Sequence, residues 1–314
     1  MGGWRVGKEE GVGILSASSF TMPKPLGNIV KSYPARGPMH QYRFDTGNTF
    51  HCIRCGCEKT AKLISILNED WDKRLCNACY GRLLSIFEIK ASDKADTEKV
   101  EELSQLLFEL TQEDAVRETE LRLKVSEQRM RVLSDSALRF LATSETVVSA
   151  LSSVEGLDWS PAVIGICKAL EVELINRFMA PLRDLSKGIN FDADLKDKDL
   201  VRVAKYCTGS APPPELGTIC FFLRVVSNSQ TRVNTSPMLK CLKDLFSKWP
   251  RSGWLVDANG ALKLIAEVTS QFRNKAAHIE QLGKADYLKC YELVAGKTGA
   301  LWDLIVATSK SETR

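Results

Sequence analysis

Two groups of residues in this chain have the types and spacing to do chemistry. The first is Arg273-Asn274-Lys275-Ala276-Ala277-His278. The guanidinium of Arg273 can hold a phosphate through two parallel hydrogen bonds, and the imidazole of His278 can carry a proton near neutral pH. Asn274 can hydrogen-bond a phosphate or orient the histidine, and Lys275 adds positive potential. One short segment therefore offers charge neutralisation, a polar amide and a proton carrier, which are parts that phosphoryl transfer needs. The second group is Cys52-x2-Cys55 with Cys76-x2-Cys79, the two knuckles lying 20 residues apart. Each knuckle presents two thiolates to one ion, and the four can close a tetrahedron around Zn2+. Cys57 and His51 are alternative donors at the first knuckle. Closed four-cysteine sites are structural, and a stretch this short needs one to fold. Arg54, Lys59, Lys62, Lys73, Arg74 and Arg82 lie around the knuckles and could meet phosphates.

The elements that must position these residues are mostly helices. Leu262, Ile265, Val268 and Phe272 repeat at helical spacing, so Arg273 follows a helix over residues 257–272. Further helices are predicted from Ser160-Pro161, an N-cap with proline at the first helical position, through Phe178, and over 216–226, 237–246 and 286–308, the last interrupted near Gly296 and Gly299. Residues 186–199 and 208–214 read as loop. Residues 91–150 contain no proline or glycine and carry Val100, Leu103, Leu107 and Leu110, then Leu121, Val125, Val132 and Leu138. This stretch reads as a charged helical connector. A dimerising coiled coil is the sharper alternative, with its heptad broken around Gln112. Residues 1–47 hold Pro23, Pro25, Pro34 and Pro38 and read as an extended or flexible leader.

Four segments result: a leader over 1–47, a four-cysteine module over 48–90, a connector over 91–150 and a helical domain over 151–314. Residues 1–90 carry 13 basic against 8 acidic side chains and 91–150 carry 8 against 13, so a basic module precedes an acidic connector. The net charge of +4 is too small to mark a nucleic-acid binder by itself. No apolar run reaches the ~20 residues of a membrane span, and no signal peptide is legible. Paired knuckles point to metal in a reducing cytoplasm rather than to disulfides. No G-x4-G-K-S/T loop and no H-E-x-x-H motif is present, and no Ser/His/Asp set is ordered around His278.

Two resemblances follow from these residues. Leu75-Cys76-Asn77-Ala78-Cys79 resembles the second knuckle of GATA-type fingers, which implies that the last two ligands open a helix over Tyr80–Phe87. Residues 155–310 resemble the HEPN family, through Cys167-Lys168-Ala169-Leu170-Glu171-Val172-Glu173 and through the R-x4-6-H signature at Arg273 and His278. That resemblance implies a small helical bundle that dimerises and pairs two such motifs. It implies metal-independent RNA cleavage by the ribose 2′-hydroxyl, with Glu171 and Glu173 as partners for Arg273. The expected layout is mainly α: a zinc module and connector on a HEPN-type ribonuclease, of the kind that serves as a toxin in antiphage defence or stress, with a sensor or regulatory partner. A tyrosine two residues after the histidine, frequent in HEPN toxins regulated by nucleotidyl transfer, is Glu280 here. The rival expectations are a non-catalytic HEPN-like scaffold and a zinc-finger regulator that binds nucleic acid.

Overall fold

The computed structural model describes residues 27–150, 157–228 and 232–309. Residues 1–26 of the expected leader lie outside the described residues. The rest of that leader is not flexible chain. Ile29–Arg36 (β1) and Met39–His51 (β2) are strands, and with Glu58–Leu67 (β3) and Asp70–Leu75 (β4) they form an antiparallel sheet in the order β1-β2-β3-β4. Pro34 fits because β1 is an edge strand, and Pro38 sits in the β1–β2 turn. Nearly every residue of β1 is exposed, so it carries no alternation from which a strand could be read. Phe44, Phe50, Ile64 and Ile66 form a small core on one face of the sheet. The cysteine module thus begins near residue 29 rather than 48.

The chain leaves β4 into helix Asn77–Ala91 (α1), as the second knuckle implied. The 91–150 stretch is helical, as expected, and packs on the C-terminal helices. It folds as Asp96–Glu109 (α2), Glu113–Ser126 (α3) and Asp135–Ala150 (α4), with α2 and α4 packed on Ser160–Leu174 (α5). Breaks without glycine or proline are made by capping: the Ser134 hydroxyl accepts from Ala137 N at 3.3 Å and starts α4. Val100, Leu103, Leu107 and Leu138 are buried, whereas Leu121, Val125 and Val132 face solvent. One core runs from Met39 to Ala307, so residues 91–150 and the C-terminal helices share a single interior.

Helix α5 is apolar on almost every side because it is the centre of the bundle; Ala162, Ile166, Leu170 and Leu174 are all buried. The expected cap at Ser160 sits upstream instead, where Asp158 Oδ1 accepts from Ser160 N at 2.9 Å and from its hydroxyl at 2.6 Å. Gly165 lets α4 approach, since a Cβ there would meet Ser144 Oγ and, at 2.6 Å, Leu107 Cδ2. A π-helical turn, Ile175–Met179, joins α5 to Ala180–Leu185 (α6).

The remaining helices are Asp192–Lys196 (α7), inside the expected loop, then Val201–Cys207 (α8), Leu216–Asn228 (α9), Pro237–Ser247 (α10) and Gly253–Val256 (α11). Ala261–Glu267 (α12) runs into a second π-helical turn, Val268–Arg273, and then the single turn Asn274–Ala277 (α13). Lys284–Ala295 (α14) and Ala300–Ala307 (α15) are separated at the two glycines, as expected. The protein is therefore mainly helical with one small N-terminal sheet, and no described helix is long and apolar enough to cross a membrane.

A buried cation joins module to bundle. Lys90, in the last turn of α1, is 2% exposed. Its Nζ donates to Asp158 Oδ2 at 2.9 Å, to Ser160 Oγ at 3.1 Å and to the Glu280 carbonyl. Three acceptors match the three protons of an ammonium. Removing one partner of such a buried pair costs about 3–5 kcal/mol.

Candidate metal centre and Arg–His site

Sequence brings the four cysteines together through two tight turns. In the β2–β3 knuckle, Gly56 N donates to Cys52 O at 2.8 Å, with Gly56 at φ +69°, where a side chain would be strained. In the second knuckle, Tyr80 N donates to Cys76 O at 2.8 Å as α1 begins. The Sγ atoms of Cys52, Cys55, Cys76 and Cys79 all lie within 4.8 Å of one another. Tetrahedral zinc with bonds of about 2.3 Å sets its sulfurs about 3.8 Å apart, so the cluster is sized for such an ion. Cys76 N donates to Cys52 Sγ at 3.4 Å, and buried Arg54 directs Nη1 to Cys79 Sγ at 3.9 Å. Hydrogen bonding with Cys79 pulls the Cys52 thiol down to about 4, and the same contact pushes Cys79 up. Four sulfurs this close together are the donor set of a tetrahedral metal ion. The alternative donors fall outside the cluster: Cys57 is exposed and donates to Cys55 O, and His51 is exposed beside Glu58 at 3.7 Å.

The Arg–His segment is divided between two environments. The π-helical turn rotates Arg273 inward, where it is 6% exposed. Its Nη2 donates to Glu215 Oε2 at 2.6 Å and its Nη1 to Asn274 Oδ1 at 3.3 Å. Its buried Nε has no partner among the described residues. His278 ends α13 and is exposed, with Nε2 3.5 Å from Asp96 Oδ2 in the first turn of α2. The described residues give no hydrogen bond between Arg273 and His278. Asn274 and Lys275 are half-buried between them.

Glu171 and Glu173 do not partner Arg273. Glu171 is engaged by Lys168 at 2.9 Å and by Leu216 N at 2.9 Å, so it caps α9. Glu173 accepts from Ser134 N at 2.6 Å and pairs with Arg177. The carboxylate on Arg273 is Glu215, beside the α9 start that Glu171 holds. Glu215, Asp96 and Lys90 escape sequence reading because each is distant in the chain from the residue it serves.

Two cavities flank α9, and the second of them reaches the turn that carries Arg273. One, of about 410 Å³, is lined by Lys198, Arg202, Thr218 and Phe221. The other, of about 370 Å³, is lined by Phe221, Arg224, Thr269 and Ser270. Exposed Phe221 and Gly217 border both, so the ring lies between one hollow holding Lys198, Arg202 and Asp199 and another holding Arg224. Thr269 and Ser270 belong to the same π-helical turn as Arg273.

No protein-family model matches this chain, no curated protein is similar to it, and no solved structure matches its fold. The functional reading therefore rests on the two sites themselves.

Proposed function

We propose that this protein is a metal-independent endoribonuclease of the HEPN type, acting as a homodimer, with Zn2+ as a structural ion on Cys52, Cys55, Cys76 and Cys79. The reading is carried by Arg273, a buried guanidinium with an unpaired Nε, five positions before exposed His278. An arginine that only holds the fold spends its donors on protein acceptors. This one leaves its Nε without a protein acceptor, and its Nη2 sits on a half-exposed carboxylate, Glu215, that a phosphate could displace.

In this chemistry the ribose 2′-oxygen forms a bond to phosphorus and the bond from phosphorus to the 5′-oxygen breaks. The products are a 2′,3′-cyclic phosphate and a 5′-hydroxyl. His278 takes the 2′ proton, and His278 of the second copy returns one to the leaving oxygen. Arg273 and Asn274 bind the phosphate oxygens as their charge grows. Four sulfurs leave the metal no open position, so it folds the module and takes no part in the reaction. A role as a toxin or effector in antiphage defence or stress, under a sensor or regulatory partner, follows by analogy with the family it resembles.

The zinc-finger regulator is the weaker reading. Of the cations around the knuckles, Arg54 is buried on Cys79 and Lys73 is paired with Asp70, which leaves Lys59, Lys62, Arg74 and Arg82 for phosphates.

The test is RNA cleavage by the purified protein during a short exposure to EDTA. The reading expects cleavage, cyclic phosphate ends and inert DNA, which lacks the nucleophile. Absence of cleavage leaves the scaffold reading. Light scattering on the full chain is expected to give twice the 34.9 kDa chain mass. A strict monomer that cleaves RNA would show that one Arg–His pair suffices.

The hollows around Phe221 suit a single strand, with a base on the ring and phosphates on Arg202 and Arg224. Arg202→Glu and Arg224→Glu are each expected to weaken RNA binding about tenfold and to lower the salt slope by about 1. Filter binding at several salt concentrations measures both. Unchanged affinity in the two variants places the strand elsewhere.

A further inference from the structure

We propose that α1 couples the four-cysteine centre to His278 through Lys90, making Lys90 a positioning residue and the metal a control on the proton carrier. The proposal deepens the ribonuclease reading and rests on it for its consequence. The coupling itself is physical and can be measured without any reaction.

The path is short and continuous. Cys76 immediately precedes α1 and Cys79 lies in its first turn, so the metal centre fixes the start of the helix. The helix has 15 residues, a rod of about 22 Å. At its far end Lys90 reaches across to the bundle and binds the Glu280 carbonyl, two residues after His278. The same Nζ holds Asp158 and Ser160 at the start of α5. Trp159 N donates to Leu282 O at 2.9 Å, which closes the other end of the 278–282 loop.

A second arm leaves the same corner. Lys99 Nζ, on α2, donates to Lys90 O at 3.1 Å and fixes the α1–α2 angle. Asp96, in the first turn of α2, is the carboxylate 3.5 Å from His278. The loop after His278 is thus tied to the end of α1, and the ring faces a carboxylate on the helix that Lys99 ties to that same end. Beneath the loop lies a cavity of about 250 Å³, lined by Phe87, Lys90, Asp158 and Ile279 among others.

Hydrogen exchange of the 278–283 segment and the His278 ring signal in NMR test this on the full chain. His278→Ala identifies that signal among the three histidines. Removing the metal from the wild-type protein with a chelator, under conditions where the bundle stays helical, is expected to speed exchange of 278–283 at least about tenfold and to shift the ring signal. Metal-loaded Lys90→Met is expected to do the same with its metal content and its His51 signal unchanged. In cleavage assays Lys90→Met is expected to lower kcat about 10²-fold with KM unchanged, because it misplaces the proton carrier and not the strand. If metal removal and Lys90→Met both leave the exchange and the ring signal unmoved, the coupling is overturned. If both respond in a protein that cleaves no RNA, the coupling stands and the ribonuclease reading falls.

Discussion

His278→Ala is expected to slow RNA cleavage by about 10²–10⁴-fold while leaving the fold intact. The histidine is exposed and ends a single helical turn, so its stability cost should stay within about 0.5 kcal/mol. Activity and melting temperature should therefore part company. Arg273 needs a gentler substitution, because alanine there opens a buried hole beside Glu215. Arg273→Lys keeps the charge and the pairing with Glu215 but removes the fork that grips two phosphate oxygens. It should lose cleavage nearly as completely as Arg273→Ala, with a smaller change in melting. Initial rates on end-labelled RNA, read beside thermal melts, separate the two effects. Full activity in His278→Ala would return the histidine to the role of a helix end.

The second large effect belongs to the metal. Purified protein should hold about one zinc per chain by elemental analysis. Cys76→Ser should release it and unfold the sheet and the start of α1. Structural zinc contributes about 10–16 kcal/mol to small fingers at pH 7, as much as or more than the whole stability of an ordinary domain. Phe44, Phe50, Ile64 and Ile66 are too small a core to hold the sheet alone. The helices around α5 supply most of the main core themselves and should keep their circular dichroism signal. A metal-free protein with an ordered sheet would contradict the assignment.

What the sequence made legible was local. Two cysteine knuckles declare themselves by spacing, and their four sulfurs do converge. The helix that follows the second knuckle, the breaks at 208–214 and at Gly296–Gly299, and the predominance of helix were also readable, because each depends on neighbours along the chain. Pairing across distance was not. Strand β1 is exposed on both faces and has no pattern to betray it. The π-helical turn at Val268–Arg273 leaves the apolar spacing almost unchanged, yet it turns Arg273 into the interior. Arg273 finds its carboxylate 58 residues away, whereas the nearer-looking candidates Glu171 and Glu173 serve a helix cap and another arginine. Lys90 lies 190 residues from the carbonyl it binds. The acidic stretch read as a connector became bundle because Val100, Leu103 and Leu107 had α5 to pack against.

The central claim is that the RNA supplies its own nucleophile, with Arg273 and His278 assisting. One measurement bears on it most directly: cleavage of an RNA carrying a single 2′-deoxy nucleotide at the mapped cut site, compared with the all-ribose strand. The account predicts that this bond stays intact while neighbouring ribose sites remain cleavable. Cutting of the deoxy bond at the full rate would contradict it, because the attacking oxygen would then have to come from somewhere other than the substrate.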